Sequence, residues 1–269
     1  MKKIISFSIW GDIRLYCIGA IKNALLAKKY FPDWICRYYY DISVPKIIID
    51  YLSNLSNVEL FFVDIPSGGK IYKDNGQFGM FWRFYPFNDD DVEVWMSRDI
   101  DSRISEYEAI QINDFLQSNK VLHTFSDSNE SICRGGTVTF RNYINSHDTR
   151  IVDGIKLDIN TLTRYQNKIN CKFYDDEKFL NNVLFPYYKQ SFIRTNRVKH
   201  NNERYFNTFT GSYTGQILDE YDKPYDKNRD SSFSRKNSYD DLYVLLDEYK
   251  ARLNSSNIHQ IVYKTLFHH

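Results

Sequence analysis

Cysteine is sparse and poorly placed for a cross-linked or zinc-knuckle fold. Cys17, Cys36, Cys133 and Cys171 are scattered, with no C-x-x-C pair among them, which argues against a zinc knuckle. They read as buried thiols of a reducing compartment. Neither sign of charge is in excess. With 35 Lys+Arg against 34 Asp+Glu the net charge is +1, so no global field draws the chain to nucleic acid or to an acidic membrane. No uncharged run approaches the roughly 20 residues of a membrane span. The pair Lys2-Lys3 and the apolar residues after it have the start of a signal peptide, but Gly11-Asp12 and Arg14 cut the run short. Internal repeats are absent, and the glycines have neither Walker nor Rossmann spacing. A soluble, cytoplasmic protein with no nucleic-acid partner and no membrane span is expected.

What is present suits one large α/β domain. The 269 residues are 42% hydrophobic, enough for a sizeable core. Aromatics, at 17%, fill cores first, though they also stack on bases and sugar rings. Residues 4–10 read as a buried strand stopped by Gly11-Asp12. Residues 15–29 have helical spacing at Ile18, Ile21 and Leu25. A β-branched and aromatic strand spans 34–40. Ser43 is placed to cap a helix with Pro45 in its first turn, running to about 55, and 58–63 is a third strand. The order β-α-β-α-β implies a mostly parallel sheet with right-handed crossovers. A glycine-bearing loop covers 64–79, and 80–87 reads as an aromatic core helix around Arg83. Ser105 with Glu108 forms a capping box that opens a helix to about 117. Residues 120–125 are another strand, and Arg134-Gly135-Gly136-Thr137 is a glycine-marked turn. A helix capped by Asp158 is expected over 158–168. Asp175-Asp176-Glu177 precede a short helix that Pro186 ends, and acids there suit its dipole. Residues 208–216 read as a loop or hairpin and 222–237 as a mobile polar loop. Ser238 caps a terminal amphipathic helix carrying Leu242, Leu245, Leu246, Tyr249 and Leu253. This divides the chain into 1–220 and a C-terminal extension, 221–269, packed on the same domain or serving a homodimer.

The stretch Val92-Glu93-Val94-Trp95-Met96-Ser97-Arg98-Asp99-Ile100-Asp101-Ser102 is the chemical focus. A strand ends and two carboxylates follow, one residue apart. In an extended segment positions i and i+2 share a face, so Asp99 and Asp101 would project together. Such a pair repels itself unless a cation lies between, and oxygen ligands suit Mg²⁺ or Mn²⁺. A solvated turn paired with Arg98 and Arg103 is the alternative, since roughly one chance Asp-x-Asp is expected in a chain of this size; Asp89-Asp90-Asp91 is another. The position after the fourth strand of an open α/β sheet favours the metal, because ligands bind at carboxyl ends of such strands.

Taken together, Ile5-Ser6-Phe7-Ser8 with Gly11-Asp12, Arg37-Tyr38-Tyr39-Tyr40-Asp41 with Ser43-Val44-Pro45, Trp82-Arg83-Phe84, and Ser97-Arg98-Asp99-Ile100-Asp101-Ser102-Arg103 resemble GT-A-fold glycosyltransferases over residues 4–220. The resemblance implies a Rossmann-like, mostly parallel open sheet flanked by helices. It implies transfer of a hexosyl group from a nucleotide sugar, a UDP-sugar first, to a glycan, protein or small-molecule acceptor. It implies Mn²⁺ or Mg²⁺ held by Asp99 and Asp101, and a nucleotide lying along Ser8, Trp10 and Asp12. It places Gly135 and Gly136 on the acceptor side. Asp175-Asp176-Glu177-Lys178-Phe179-Leu180 is similar to an Asp-Gln-x-Phe-Leu motif, with Glu177 standing where the family has Gln. Relatives supply a late His as a further metal ligand; here His200 is the nearest. On this reading Arg83 or Arg98 bonds the diphosphate, and Asp176 or Glu177 is the base that an inverting transfer requires. Tyr39, Trp10 or Trp82 would stack on uracil or sugar, or else fill core. A catalytically inactive nucleotide-sugar-binding protein and a metal-dependent nucleotidyltransferase or nuclease are the alternatives.

Overall fold

A computed structural model describes residues 1–64, 78–126, 132–142, 175–195, 214–225 and 238–255. Strands form where β-branched and aromatic residues run together, and helices where apolar residues recur every three to four positions. Four strands open the chain: β1 (Lys2–Ile9), β2 (Ile35–Tyr40), β3 (Val58–Phe62) and β4 (Val92–Arg98). Three more follow: β5 (Leu122–Phe125), β6 (Thr137–Arg141) and β7 (Phe192–Thr195). They make one sheet in the order β3-β2-β1-β4-β6-β5-β7. β6 alone runs against its neighbours β4 and β5; the other pairings are parallel. The mostly parallel α/β sheet flanked by helices is thus present.

The helices are α1 (Arg14–Tyr30), α2 (Lys46–Ser53), α3 (Glu106–Gln117) and α4 (Asp175–Phe179). α4 passes through a π turn (Leu180–Leu184) into α5 (Phe185–Tyr188), and α6 (Leu242–Ser255) comes last. A 3₁₀ segment, Phe78–Asn88, joins the two halves of the sheet. Side chains alternate across the sheet, and both faces are covered. Ile5, Phe7, Ile9, Val94 and Met96 pack under α1, α2, α3 and α6 in one core. Ile4, Trp95, Val138 and Phe140 pack under the 3₁₀ segment and the α4–α5 region in a second. Burial on both faces explains why β1 and β4 read as near-continuous apolar runs rather than alternating ones.

Several local expectations change. β6 and β7 are strands where a turn and unassigned sequence were expected. β6 hides because Thr137, Thr139 and Arg141 look solvent-facing, yet all three are buried; the Arg141 guanidinium donates to the Phe115, Leu116 and Ser118 carbonyls at the end of α3. Pro186 does not end its helix. It sits in the first turn of α5, just past the π turn, where a missing N–H costs nothing. Ser43 does not cap α2, which has Pro45 at its N-cap and no side-chain cap. The Ser43 hydroxyl instead accepts from the Gly11 amide at 2.6 Å and donates to Asp41. Ser238 accepts from the Asp240 amide at 3.2 Å, ahead of a helix that starts at Leu242. The Ser105–Glu108 capping box is present.

Leu242, Leu246, Tyr249 and Leu253 of α6 are buried in the first core, while Tyr243 and Val244 are exposed. Residue 222, expected in a mobile loop, is also buried. Cys17, Cys36 and Cys133 are buried. Among the described residues no helix is long and apolar enough to cross a membrane. Cys171, His200, the expected helix over 158–168 and most of the loops over 64–79, 208–216 and 222–237 lie outside the described residues.

Candidate functional site

The chain leaves β1 on one side to build β2 and β3, then crosses back to lay β4 on the other side of β1. Successive connections diverge between β1 and β4, which opens a crevice at their carboxyl ends. At that end lie Ser8 of β1 with Trp10 and Gly11 just beyond it, Asp99 to Asp101 just beyond β4, and Gly135-Gly136 just before β6.

The acidic pair does not continue the strand. β4 ends at Arg98, and residues 99–102 turn, so the i, i+2 argument does not apply here. The Ser102 hydroxyl donates to the Asp99 carbonyl at 3.1 Å and accepts from Arg98 Nη2 at 3.0 Å. Even so, the two carboxyls feel one another. Burial, with the Asp99 charge adding to it, pushes the Asp101 carboxyl up to about 7. The same turn acts on Tyr16 of α1, whose phenol is raised to about 12 by burial and then by Asp101 and Asp99.

Arg83 stands over this turn. Its backbone amide donates to Ser8 Oγ at 2.9 Å, which fixes the 3₁₀ segment against β1. Its guanidinium is a fork between two carboxylates. Nη1 donates to Asp99 Oδ1, and Nη2 to Asp176 Oδ2 at 2.5 Å. Burial works against the charge, but Asp99 and Asp176 outweigh it and hold the guanidinium protonated above its ordinary value. Arg83 and Asp176 are buried at 5% and 1% exposure. Among the described residues, Asp176 Oδ1, Arg83 Nε, Trp82 Nε1 and Ser6 Oγ are buried and have no hydrogen-bond partner.

The two glycines are required by this packing. A Cβ at Gly136 would overlap the Asp99 carboxylate, and one at Gly135 would overlap Asp176 and Arg83. The Gly135 carbonyl accepts from Ser97 Oγ at 2.5 Å. The turn is therefore a wall of the carboxylate cluster itself.

Other expected residues are placed differently. Arg98 is turned into the core, at 1% exposure, in an ion pair with Glu108 at 2.5 Å. Burial raises the Glu108 carboxyl while Arg98 pulls it back. Asp12 is exposed and accepts from the Tyr239 hydroxyl at 2.7 Å. Trp82 and Tyr39 are core residues at 1% and 5% exposure, with Tyr39 tilted against Phe61 and edge-on to Tyr85. Trp10 is half-buried, edge-on to Trp82 and tight over Gly79. Glu177 is half-buried on α4, its carbonyl accepting from Asn181 at 2.7 Å. Asp89 of the other Asp-x-Asp is paired with Arg37 at 2.7 Å.

Among the described residues no group of three His, Cys, Asp or Glu side chains forms a metal cage. The donor set nevertheless fits a divalent ion. Arg83 pairs with Asp99 and Asp176, while Asp101 has no such pair among the described residues and feels Arg103 and Arg83 only as nearby charges. Burial first and the Asp99 charge second raise the Asp101 carboxyl, and a divalent ion beside it would favour the charged form. Hard oxygen donors of this kind leave further positions for water and phosphate.

Sequence reasoning missed Asn23 and Asp222, which hold the acidic turn from behind. Asn23 carried a usable signal, a polar amide amid the apolar spacing of α1. Asp222 carried none, because its neighbours are polar.

No described protein family matches the sequence, and no curated protein does. Solved structures with a partial likeness include a galactosyltransferase, LgtC, in complex with donor and acceptor sugar analogs. It is 13% identical over 74% of each chain, with a TM-score of 0.42. Another is a glycosyltransferase involved in glycosylation of the major capsid of PBCV-1, 13% identical over 73% of this chain and 82% of that one, TM-score 0.43. A third is the 4-diphosphocytidyl-2C-methyl-D-erythritol synthase of Anaerococcus prevotii, 12% identical over 76% and 89%, TM-score 0.40. At such identities and scores the likeness assigns no residue a role.

Proposed function

We propose that the protein transfers a hexosyl group from a nucleotide-diphosphate sugar, a UDP-sugar, to an acceptor hydroxyl. The observation that carries this reading is the Arg83 fork between Asp99 and Asp176 at the switch-point crevice, walled by Gly135-Gly136. Asp99 and Asp101 are the residues that would hold Mn²⁺ or Mg²⁺. Bound there, the ion supplies positive charge to the diphosphate that departs.

The chain's own groups do the rest. Arg83 holds Asp99 and Asp176 in one orientation and keeps the cluster from collapsing through its own repulsion. Asp176, whose Oδ1 is buried without a hydrogen-bond partner among the described residues, is the group assigned as the base that an inverting transfer requires. Ser8 fixes the Arg83 backbone and thereby the height of the fork above β1. The half-buried Trp10 is the aromatic ring left for the nucleotide or sugar to contact. Arg98, spent on Glu108, is left out of the binding set, and Arg83 carries the cationic role.

The test is a thermal-shift panel of UDP, GDP, CMP and UDP-sugars, each with and without Mn²⁺, followed by assay of UDP release from the sugar that shifts most. A ligand at a hundred times its dissociation constant adds about 2.7 kcal/mol. A Mn²⁺-dependent rise with UDP, lost in Asp101→Asn, followed by UDP release, supports the reading. Binding without release marks a nucleotide-sugar-binding protein. No shift with any nucleotide would sink the proposal.

A further inference from the structure

Asn23 lies in the middle of α1 and is fully buried. Its side chain makes three hydrogen bonds, all to the turn that carries the acidic pair. Nδ2 donates to the Ile100 carbonyl at 3.0 Å and to the Ser102 carbonyl at 2.8 Å. Oδ1 accepts from the Ile104 amide at 3.1 Å. The three partners alternate along the chain, so they bracket Asp101 and begin one residue after Asp99. A primary amide is the one short side chain with two donors and an acceptor in a fixed plane, and all three are used here.

The approach is tight. A Cβ at Gly19, one helical turn earlier, would stand 2.6 Å from the Ile100 carbonyl oxygen, so the turn lies directly on the helix. Arg103 grips the same two carbonyls, its Nη1 reaching Ile100 at 3.2 Å and Ser102 at 3.3 Å. Arg103 is itself held by Asp222 at 2.9 Å and by the Asp219 carbonyl at 2.9 Å. The Leu218 amide donates to the Asp101 carbonyl at 2.7 Å. The backbone of the acidic turn therefore has no free carbonyl at residues 100, 101 or 102.

We propose that Asn23 is a positioning residue for the acidic pair: it sets the backbone geometry from which Asp99 and Asp101 present their carboxylates to a divalent ion. This rests on the metal reading of that pair. Asn23 touches neither ion nor substrate. It acts because two carboxylates that repel one another will splay unless the backbone between them is pinned, and because ligand geometry held by an outer layer of hydrogen bonds is what makes a site selective and tight. Arg103 is a long side chain with its own tether, so it holds the segment in place but leaves the turn freer once the planar amide is gone.

The test measures UDP binding to the full chain by calorimetry, with and without Mn²⁺, for the wild type and Asn23→Ala. Hydrogen exchange of the peptide covering 98–104 is followed alongside. The Mn²⁺-dependent gain in UDP affinity should fall by about 10- to 100-fold in the variant, with metal-free UDP affinity unchanged. Exchange in 98–104 should speed up while β1 and β2 stay protected. A merely structural residue would weaken both affinities together and loosen the neighbouring strands. If Asn23→Ala does not fold, Asn23→Ser, which keeps one donor, should fold and show a smaller loss in the same direction. A variant that keeps the full Mn²⁺-dependent gain overturns the assignment alone. A wild-type chain with no Mn²⁺-dependent UDP binding overturns the metal reading and the assignment with it.

Discussion

Replacing Asp101 by Asn should make the metal-free protein more stable, although it removes a proposed ligand. The carboxyl is lifted from its ordinary 3.8 to about 7, by burial and then by Asp99. A displacement of that size penalises the charged form by about 4 kcal/mol. The side chain is only half-buried, and solvent screening discounts the figure to about 2 kcal/mol. For a chain of this length that is a rise of roughly 4–8 °C in midpoint. The sign follows from linkage. The folded value lies above the unfolded one, so the stability associated with the protonated carboxyl is fully present below 3.8 and lost as pH rises through about 7. Thermal unfolding in EDTA between pH 4 and pH 8 should therefore show wild type and Asp101→Asn together at the acid end. The two should part through pH 5 to 7, with the variant above the wild type at pH 8. Adding Mn²⁺ at pH 8 should raise the wild type and leave the variant unmoved. A constant difference across the pH range, or a variant less stable at pH 8, would refute the claim that burial and the Asp99 charge together penalise the Asp101 carboxylate.

Three further outcomes follow from the same contacts. Arg83→Met removes the shared partner of Asp99 and the buried Asp176; urea unfolding should show a loss of about 3–5 kcal/mol, and a loss under about 1 kcal/mol would mean the fork does not form in solution. Gly136→Ala drives a methyl into the Asp99 carboxylate; Mn²⁺-dependent UDP affinity should drop about ten-fold or more with the far-UV spectrum retained, and unaltered affinity would remove the turn from the site. Asp222 pairs with both Lys22 at 2.8 Å and Arg103 at 2.9 Å and has a backbone φ of +62°. Asp222→Ala should cost about 3–5 kcal/mol by leaving buried cations unpaired. Asp222→Asn keeps a residue type that tolerates the left-handed region, so its unfolding free energy isolates the charge; equal stability of wild type and Asp222→Asn would show that the pairing contributes nothing.

The opening of the fold was legible because its signals are local. Ile4 to Ile9 and residues 35–40 are rich in β-branched and aromatic residues, residues 15–29 carry the helical period, and Ser105 with Glu108 carries a cap whose two bonds close within three residues. Those facts determine an α/β sheet, and with it the expectation of a crevice after the fourth strand. β6 was not legible, because Thr139 and Arg141 are polar residues buried by their neighbours, and no local rule reports that. The candidate site divides in the same way. Asp99 and Asp101 stand out as a pair one residue apart, and Arg83 as a lone charge among aromatics. The sequence alone determines that carboxylates and a guanidinium are available. Only the tertiary structure decides that Arg83 reaches across 16 residues to Asp99 and 93 to Asp176, while Arg98, beside Asp99 in the chain, turns away to Glu108. The reason is physical. Arg98 is the last residue of β4 and shares the face of Val94 and Met96, toward α3 and Glu108, whereas the chain leaves the strand at Asp99, whose partner comes from the 3₁₀ segment packed against β1 and β4.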